Sequence, residues 1–257
     1  MDLPFASSLV IASAVGIASG GIGAFIILKR MALVGDALSH VALPGIALAL
    51  FYGIDPFWGV LIFLLATAVI VWWLEGRTTL PGDALVGLLF TTSLAVGVLT
   101  IPNEEIIHSL FGEFPALSML GFIITTGLAL AAAGTAIGFA RQFLFRTITP
   151  DLAQVHGLGR GFDLLLLSLF ALIVSLGIKL VGTLLMGALT IIPASIAKNV
   201  AKSTKGFIAA SILLGGFIGA AGLVIARAFS FLPGPSIILF GVGLFLTSLV
   251  LFRPVRS

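Results

Sequence analysis

The sequence predicts an all-α membrane protein, a single polytopic bundle of about nine transmembrane helices. Three observations predict it. Of 257 residues 60% are hydrophobic and only 9% charged, with a mean hydropathy of +1.27. A soluble domain carries about 25% charge, so too little remains here to cover a water-facing surface. Apolar runs near the ~20 residues needed to cross about 30 Å of hydrocarbon recur along the whole chain. Charge, Gly and Pro collect between those runs.

The first run covers 5–27. "MDLPF" before it lacks the basic start and cleavage site of a secretory signal, so the run reads as a retained span. The second, 32–52, holds Asp36 and His40. The third and fourth, 56–74 and 83–101, are bounded by "GIDP" and by "EGRTTLPGD". The fifth, 116–139, leads into "ARQFLFRTITPDLAQVHGLGRGF" over 140–162, a loop too short for a domain of its own. Runs at 163–180, 182–197, 206–226 and 235–252 complete the chain. Read as one helix, 163–197 would be about 52 Å long, too long for one crossing. The chain must turn back there, and "KLVGTL" (Lys179 to Leu184) is the natural place.

Basic residues test the count. With nine crossings and the N-terminus outside, inner loops hold Lys29, Arg30, Arg77, Arg141, Arg146, Arg160, Lys198, Lys202, Lys205, Arg253 and Arg256, which is 11 of the 13 Lys and Arg. The positive-inside rule asks for this asymmetry, and it puts the C-terminus in the cytoplasm. Only Lys179 and Arg227 fall near the outer face, where Asp2, Asp55, Glu104, Glu105 and Glu113 lie. The net charge of +3 therefore reflects membrane anchoring and not nucleic-acid binding. Small-residue pairs (Gly16 and Gly20, Gly134 and Gly138, Gly215 and Gly219) suit close helix packing.

An enzyme reading has nothing to stand on. The chain has no G-x-x-x-x-G-K-[ST] phosphate loop, no Ser/His/Asp set, no H-E-x-x-H and no cysteine. Transport remains, driven by an ion gradient or by a separate nucleotide-hydrolysing partner. "TIIPASIAKNVAKSTK" (190–205) bears on the choice. An apolar span is expected to break at Pro193, since proline removes a helical hydrogen bond. A short amphipathic stretch with Lys198, Lys202 and Lys205 follows on the inner face. It reads equally as a knob for a partner protein and as a basic loop that anchors topology.

Asp36 and His40 are the polar pair within the second run. A carboxylate near the centre of a membrane helix costs roughly 2.5 to 3.5 kcal/mol on insertion scales, so something must offset it. Residues four apart share a helix face, and carboxylate with imidazole is a common ligand pair for first-row divalent metals. If the helix enters from the cytoplasmic side near Met31, His40 lies about 13 Å up, near the midplane. The alternative is a structural pair that cross-links helices.

Four stretches in order along the chain carry a family resemblance. "LKRMALVGDALSHVALPGIALA" (Leu28 to Ala49), "ITPDLAQVHGL" (Ile148 to Leu158), "KLVGTLLMGALTIIPASIAKNVAKS" (Lys179 to Ser203) and "LPGPSIILF" (Leu232 to Phe240) resemble the manganese/zinc/iron branch of bacterial ATP-binding-cassette importer permeases. The resemblance covers essentially the whole chain. It implies a fold similar to the cobalamin and iron-siderophore permeases, often described with eight membrane helices. It implies a dimer of permease subunits in the bacterial cytoplasmic membrane, two cytoplasmic ATPase subunits that hold the ATP, and an extracytoplasmic binding protein that delivers the metal. No cofactor would reside on this chain, and the divalent ion would be cargo. The segment Pro193, Ala194, Ser195, Ile196, Ala197, Lys198, Asn199 and Lys202 matches the part that seats in the ATPase. Across a dimer axis, two copies of Asp36 and His40 would offer four ligands, suited to Zn²⁺, or to Mn²⁺ and Fe²⁺ with added waters.

Glu104, Glu105 and His108 in the outer loop "PNEEIIHSLFGEF" would cluster on a short helix. They read as an ordinary solvated loop, as a weak metal-attracting mouth or as a contact for the binding protein. His156 reads as a surface histidine and "LPGPS" (Leu232 to Ser236) as a stiff turn. Two rivals are an ion-coupled transporter with Asp36 and His40 as a proton relay, and a same-fold permease for a metal chelate. The first needs no docking segment, and the second wants a wide cavity without the midplane pair.

Overall fold

The computed structural model describes residues 3–80, 82–100, 110 and 118–252, without the side chains at 3, 4, 32–36, 82, 83, 98, 100 and 184. All regular structure among the described residues is helical. The elements are α1 (Leu3–Leu28), α2 (Ala32–Tyr52), α3 (Pro56–Glu75), α4 (Gly82–Thr100), α5 (Met119–Gly138), α6 (Ala140–Ile148), α7 (Pro150–Val155), α8 (Gly161–Val181), α9 (Thr183–Val200), α10 (Thr204–Phe229) and α11 (Pro233–Leu251). Nine of these have 18 residues or more, and they match the nine apolar runs. Six (α1, α3, α5, α8, α10 and α11) are long and apolar enough to cross a membrane on composition alone. The other three, α2, α4 and α9, carry shorter apolar runs.

Boundaries follow local chemistry. Asp55 caps α3 by accepting a hydrogen bond from the Phe57 N–H, and Pro56 stands in the first turn, where its missing N–H costs nothing. Ser118 caps α5 through Gly121, and Ser203 caps α10 through Gly206. Gly53, in the left-handed region at φ 66°, ends α2.

The core forms where α1 lies in the bundle, packed mainly on α10, α5 and α9. Backbones touch there. A Cβ on Gly16 would meet the Gly215 carbonyl, one on Gly20 the Ser211 carbonyl, and one on Gly23 the Thr190 carbonyl. The Gly16/Gly20 and Gly215/Gly219 pairs are thus helix contacts, as their spacing suggests. Gly134 and Gly138 are not, since a Cβ on either would stand in open space within this chain.

The reversal near 180–184 is made by one residue. Gly182 adopts φ 85°, ψ 164°, a conformation open essentially to glycine alone. Met186 of α9 consequently returns beside Gly177 of α8, which a continuous straight helix could not allow. Two ion-pair groups then mark the ends of α8. At its start Asp163 accepts from Lys29 Nζ at 2.6 Å and from Arg146 Nε at 2.9 Å. At its other end Lys179 Nζ lies 2.9 Å from Asp55 Oδ2. Asp163 and Lys179 are 16 residues apart, about 24 Å along the axis, close to the hydrocarbon thickness.

Two expectations need correction. The stretch 140–162 is no plain loop but holds α6 and α7. Phe143 of α6 is buried against Phe25, with ring centroids 5.2 Å apart, and that apolar face fixes the short helix to the bundle. Nor does the ninth helix break at Pro193, because α9 runs through it to Val200. Proline removes one hydrogen bond, and burial of Ala194, Ile196 and Ala197 around it keeps the helix whole.

Candidate metal pathway on α2

Helix α2 lies inside the bundle. Residues 38–47 are all buried, on every face, between α3, α4 and α9. An apolar helix enclosed this way needs no polar face. Small residues bring its neighbours close, as where a Cβ on Gly45 would meet the Gly59 carbonyl of α3, and one on Gly97 of α4 the Leu43 side chain.

His40 sits near the middle of this helix and is 8% exposed. Its imidazole meets the ring of Phe90 on α4 edge-on, with centroids 5.2 Å apart and planes at 61°. Asp36 lies one turn earlier in the same helix, and its side chain is outside the described part of the structure. Ser39, beside His40, is fully buried. One turn beyond His40, Pro44 begins a groove of about 540 Å³ between α2 and α4. Leu48 and Phe51 of α2 and Thr92, Ser93 and Val96 of α4 line it. Phe63 of α3 adds to its lining, and neither His40 nor Phe90 takes part in it.

The remaining candidates fall elsewhere. Glu104, Glu105 and His108 lie outside the described residues. Among the described residues no three His, Cys, Asp or Glu side chains cluster as a metal site. Exposed His156 packs on Phe145 far along the chain from α2, in keeping with a surface role. Of the expected docking segment, Pro193, Ala194, Ile196 and Ala197 are buried in the bundle and Ser195 is half-buried. The exposed part begins at Lys198 and continues through Lys202 to Lys205. Asn199 ties it to the last helix, its Nδ2 donating to Ser248 Oγ at 3.0 Å.

A family model described as the ABC 3 transport family matches residues 4–252, which leaves no helix outside it. The chain belongs to this family. The manganese import system permease protein ScaB of Streptococcus gordonii is 34% identical over 247 residues, covering 94% of this chain and 89% of the relative. The high-affinity zinc uptake system membrane protein ZnuB of Haemophilus influenzae is 30% identical over 234 residues, covering 89% and 90%. Among solved structures, PsaBC from Streptococcus pneumoniae superposes with a TM-score of 0.87 at 32% identity, over 100% of this chain and 95% of that one. This family member is therefore an ABC-transporter permease that passes the membrane several times, and it has the family's all-helical fold.

The sequence missed two features of the site and one of the frame around it. Phe90 is one of 21 phenylalanines in the chain and sits in an apolar run, so it gave no signal. The α2/α4 groove depends on which helices neighbour each other, which periodicity does not tell. Asp163 had a signal, as a lone acid at the start of a span that follows a basic stretch.

Proposed function

We propose that this permease carries a divalent transition-metal ion, Mn²⁺ or Zn²⁺ (with Fe²⁺ as the third candidate), into the cell. The carrying observation is an imidazole one turn after a carboxylate on a helix enclosed by apolar neighbours. Such a pair is costly to bury, and a passing divalent cation would neutralise it. Manganese and zinc permeases among the relatives supply the metals.

In this reading, energy comes from ATPase subunits on the cytoplasmic face, and a binding protein outside delivers the ion. A second copy of the permease completes the pathway. One Asp36 and one His40 are too few to hold a dehydrated ion, whereas two copies offer two carboxylates and two imidazoles. Binding must stay weak enough for release, which loss of geometry on opening of the dimer axis would provide. The basic end of the bundle, with Lys29, Arg146 and Lys198, faces the cytoplasm, leaving the N-terminus outside and the C-terminus inside. The exposed strip from Lys198 to Lys205 is the surface offered to the ATPase, supported by Asn199 and Ser248. Glu104, Glu105 and His108 remain candidates for a weak outer mouth.

Reconstitution of the permease with its ATPase and binding protein in liposomes tests this reading. Uptake of Mn²⁺ or Zn²⁺ that requires ATP and the ATPase is the expected result. Uptake by the permease alone under a proton gradient would replace this reading with the ion-coupled one.

A further inference from the structure

Between them, α2 and α4 set the imidazole of His40 in one orientation. Gly97 of α4 lies against Leu43 of α2, where a side chain would collide with the Leu43 Cβ, so the two helices approach closely. At that spacing the Phe90 ring reaches His40 at 5.2 Å and 61°. Aromatic rings attract edge-to-face at centroid separations of about 4.5–7 Å, so this contact holds the imidazole about its second side-chain torsion. A ring that turned away from Phe90 would present its nitrogens differently to an ion.

We propose that Phe90 is the positioning residue for His40, fixing the direction in which the imidazole meets the ion. This rests on His40 being a pathway ligand, as proposed above. A metal ligand needs its lone pair aimed within a narrow cone, and first-row ions are held best when outer contacts fix their histidines. Phe90 supplies that constraint by packing.

The test is equilibrium binding of ⁶⁵Zn²⁺ and ⁵⁴Mn²⁺ to the permease–ATPase complex in nanodiscs, without the binding protein. Phe90→Leu keeps apolar bulk and removes the ring, and it should weaken binding about 2- to 12-fold per imidazole, the worth of one aromatic pair. Phe90→Tyr keeps the ring and should stay within about 2-fold of the parent. Parent-like binding by Phe90→Leu overturns the proposal, as does equal loss in Phe90→Tyr. His40→Gln is the control, and if it binds like the parent, the pathway reading itself fails. The unmodified protein gives a second readout, because it has only three histidines, His40, His108 and His156. In ring-¹³C-histidine spectra the His40 signal should be displaced from the free-histidine position by the Phe90 ring current and show a single ring orientation. A His40 signal averaged like free histidine would overturn the proposal without any variant.

Discussion

Replacing Asp163 with asparagine should destabilise the permease by about 2–4 kcal/mol. The carboxylate holds Lys29 at 2.6 Å and Arg146 at 2.9 Å, and Arg146 also donates to the Pro150 carbonyl at 3.2 Å. The three side chains are 20%, 13% and 11% exposed (Lys29, Asp163, Arg146), so water screens them only partly. Hydrogen bonds to a charged group contribute about 1.5–3 kcal/mol each, and asparagine keeps one acceptor in neutral form. It also leaves two cations facing each other. Removing one partner of a fully buried pair costs about 3–5 kcal/mol, an upper limit for this largely but not fully buried site. Thermal unfolding of detergent-purified protein should show Asp163→Asn melting roughly 5–15 °C lower. The apolar triple variant Lys29→Met/Arg146→Met/Asp163→Leu should recover much of the loss, because no charge is left unpaired. A melting point for Asp163→Asn within 2 °C of the parent would mean that the carboxylate does not hold the two cations in place.

Other perturbations read different parts of the fold. Gly20→Val should abolish stable folding, because its side chain would occupy the place of the Ser211 carbonyl on α10; a well-folded variant by size-exclusion chromatography would count against the close packing. Gly182→Ala should cost about 1–3 kcal/mol, since alanine at φ 85°, ψ 164° is strained; unchanged unfolding would mean that the reversal has another geometry. Burial tends to raise the Asp55 pKa, but hydrogen bonds from Lys179 and the Phe57 N–H, with the Lys179 charge, hold it below the usual value. Its contribution is therefore present above about pH 4, the unfolded value, and fades as pH falls through the folded one. Because both side chains are about half exposed, the parent should exceed Asp55→Asn by under about 1 kcal/mol at neutral pH, and the gap should close as pH falls below the folded value. A gap that persists in acid contradicts the pairing.

Much of the architecture was legible because the bilayer imposes a length on each helix. The nine apolar runs match the nine long helices to within three residues at each described end. The reversal could be placed within Lys179 to Leu184 because a helix over 163–197 is too long for one crossing, while the structure alone singles out Gly182. Pro193 misled for a physical reason, since a proline's local cost is offset when flanking residues such as Ala194 and Ala197 are fully buried. Gly134 and Gly138 have the same spacing as the packed glycines, and only the fold distinguishes them. At the candidate site, Asp36 and His40 stood out because charge is rare in such a chain. Phe90 did not, because its role comes from α4 lying beside α2, a tertiary fact with no trace in local pattern.

Passage of the ion by Asp36 and His40 makes transport depend on both side chains. Asp36→Asn and His40→Gln permeases, each shown to assemble with the ATPase and binding protein, are reconstituted and their ATP-driven Mn²⁺ and Zn²⁺ uptake is compared with the parent. Both substitutions should abolish uptake while assembly persists. Uptake at the parental rate in both variants would mean that the pair only ties helices together and that the ion crosses elsewhere.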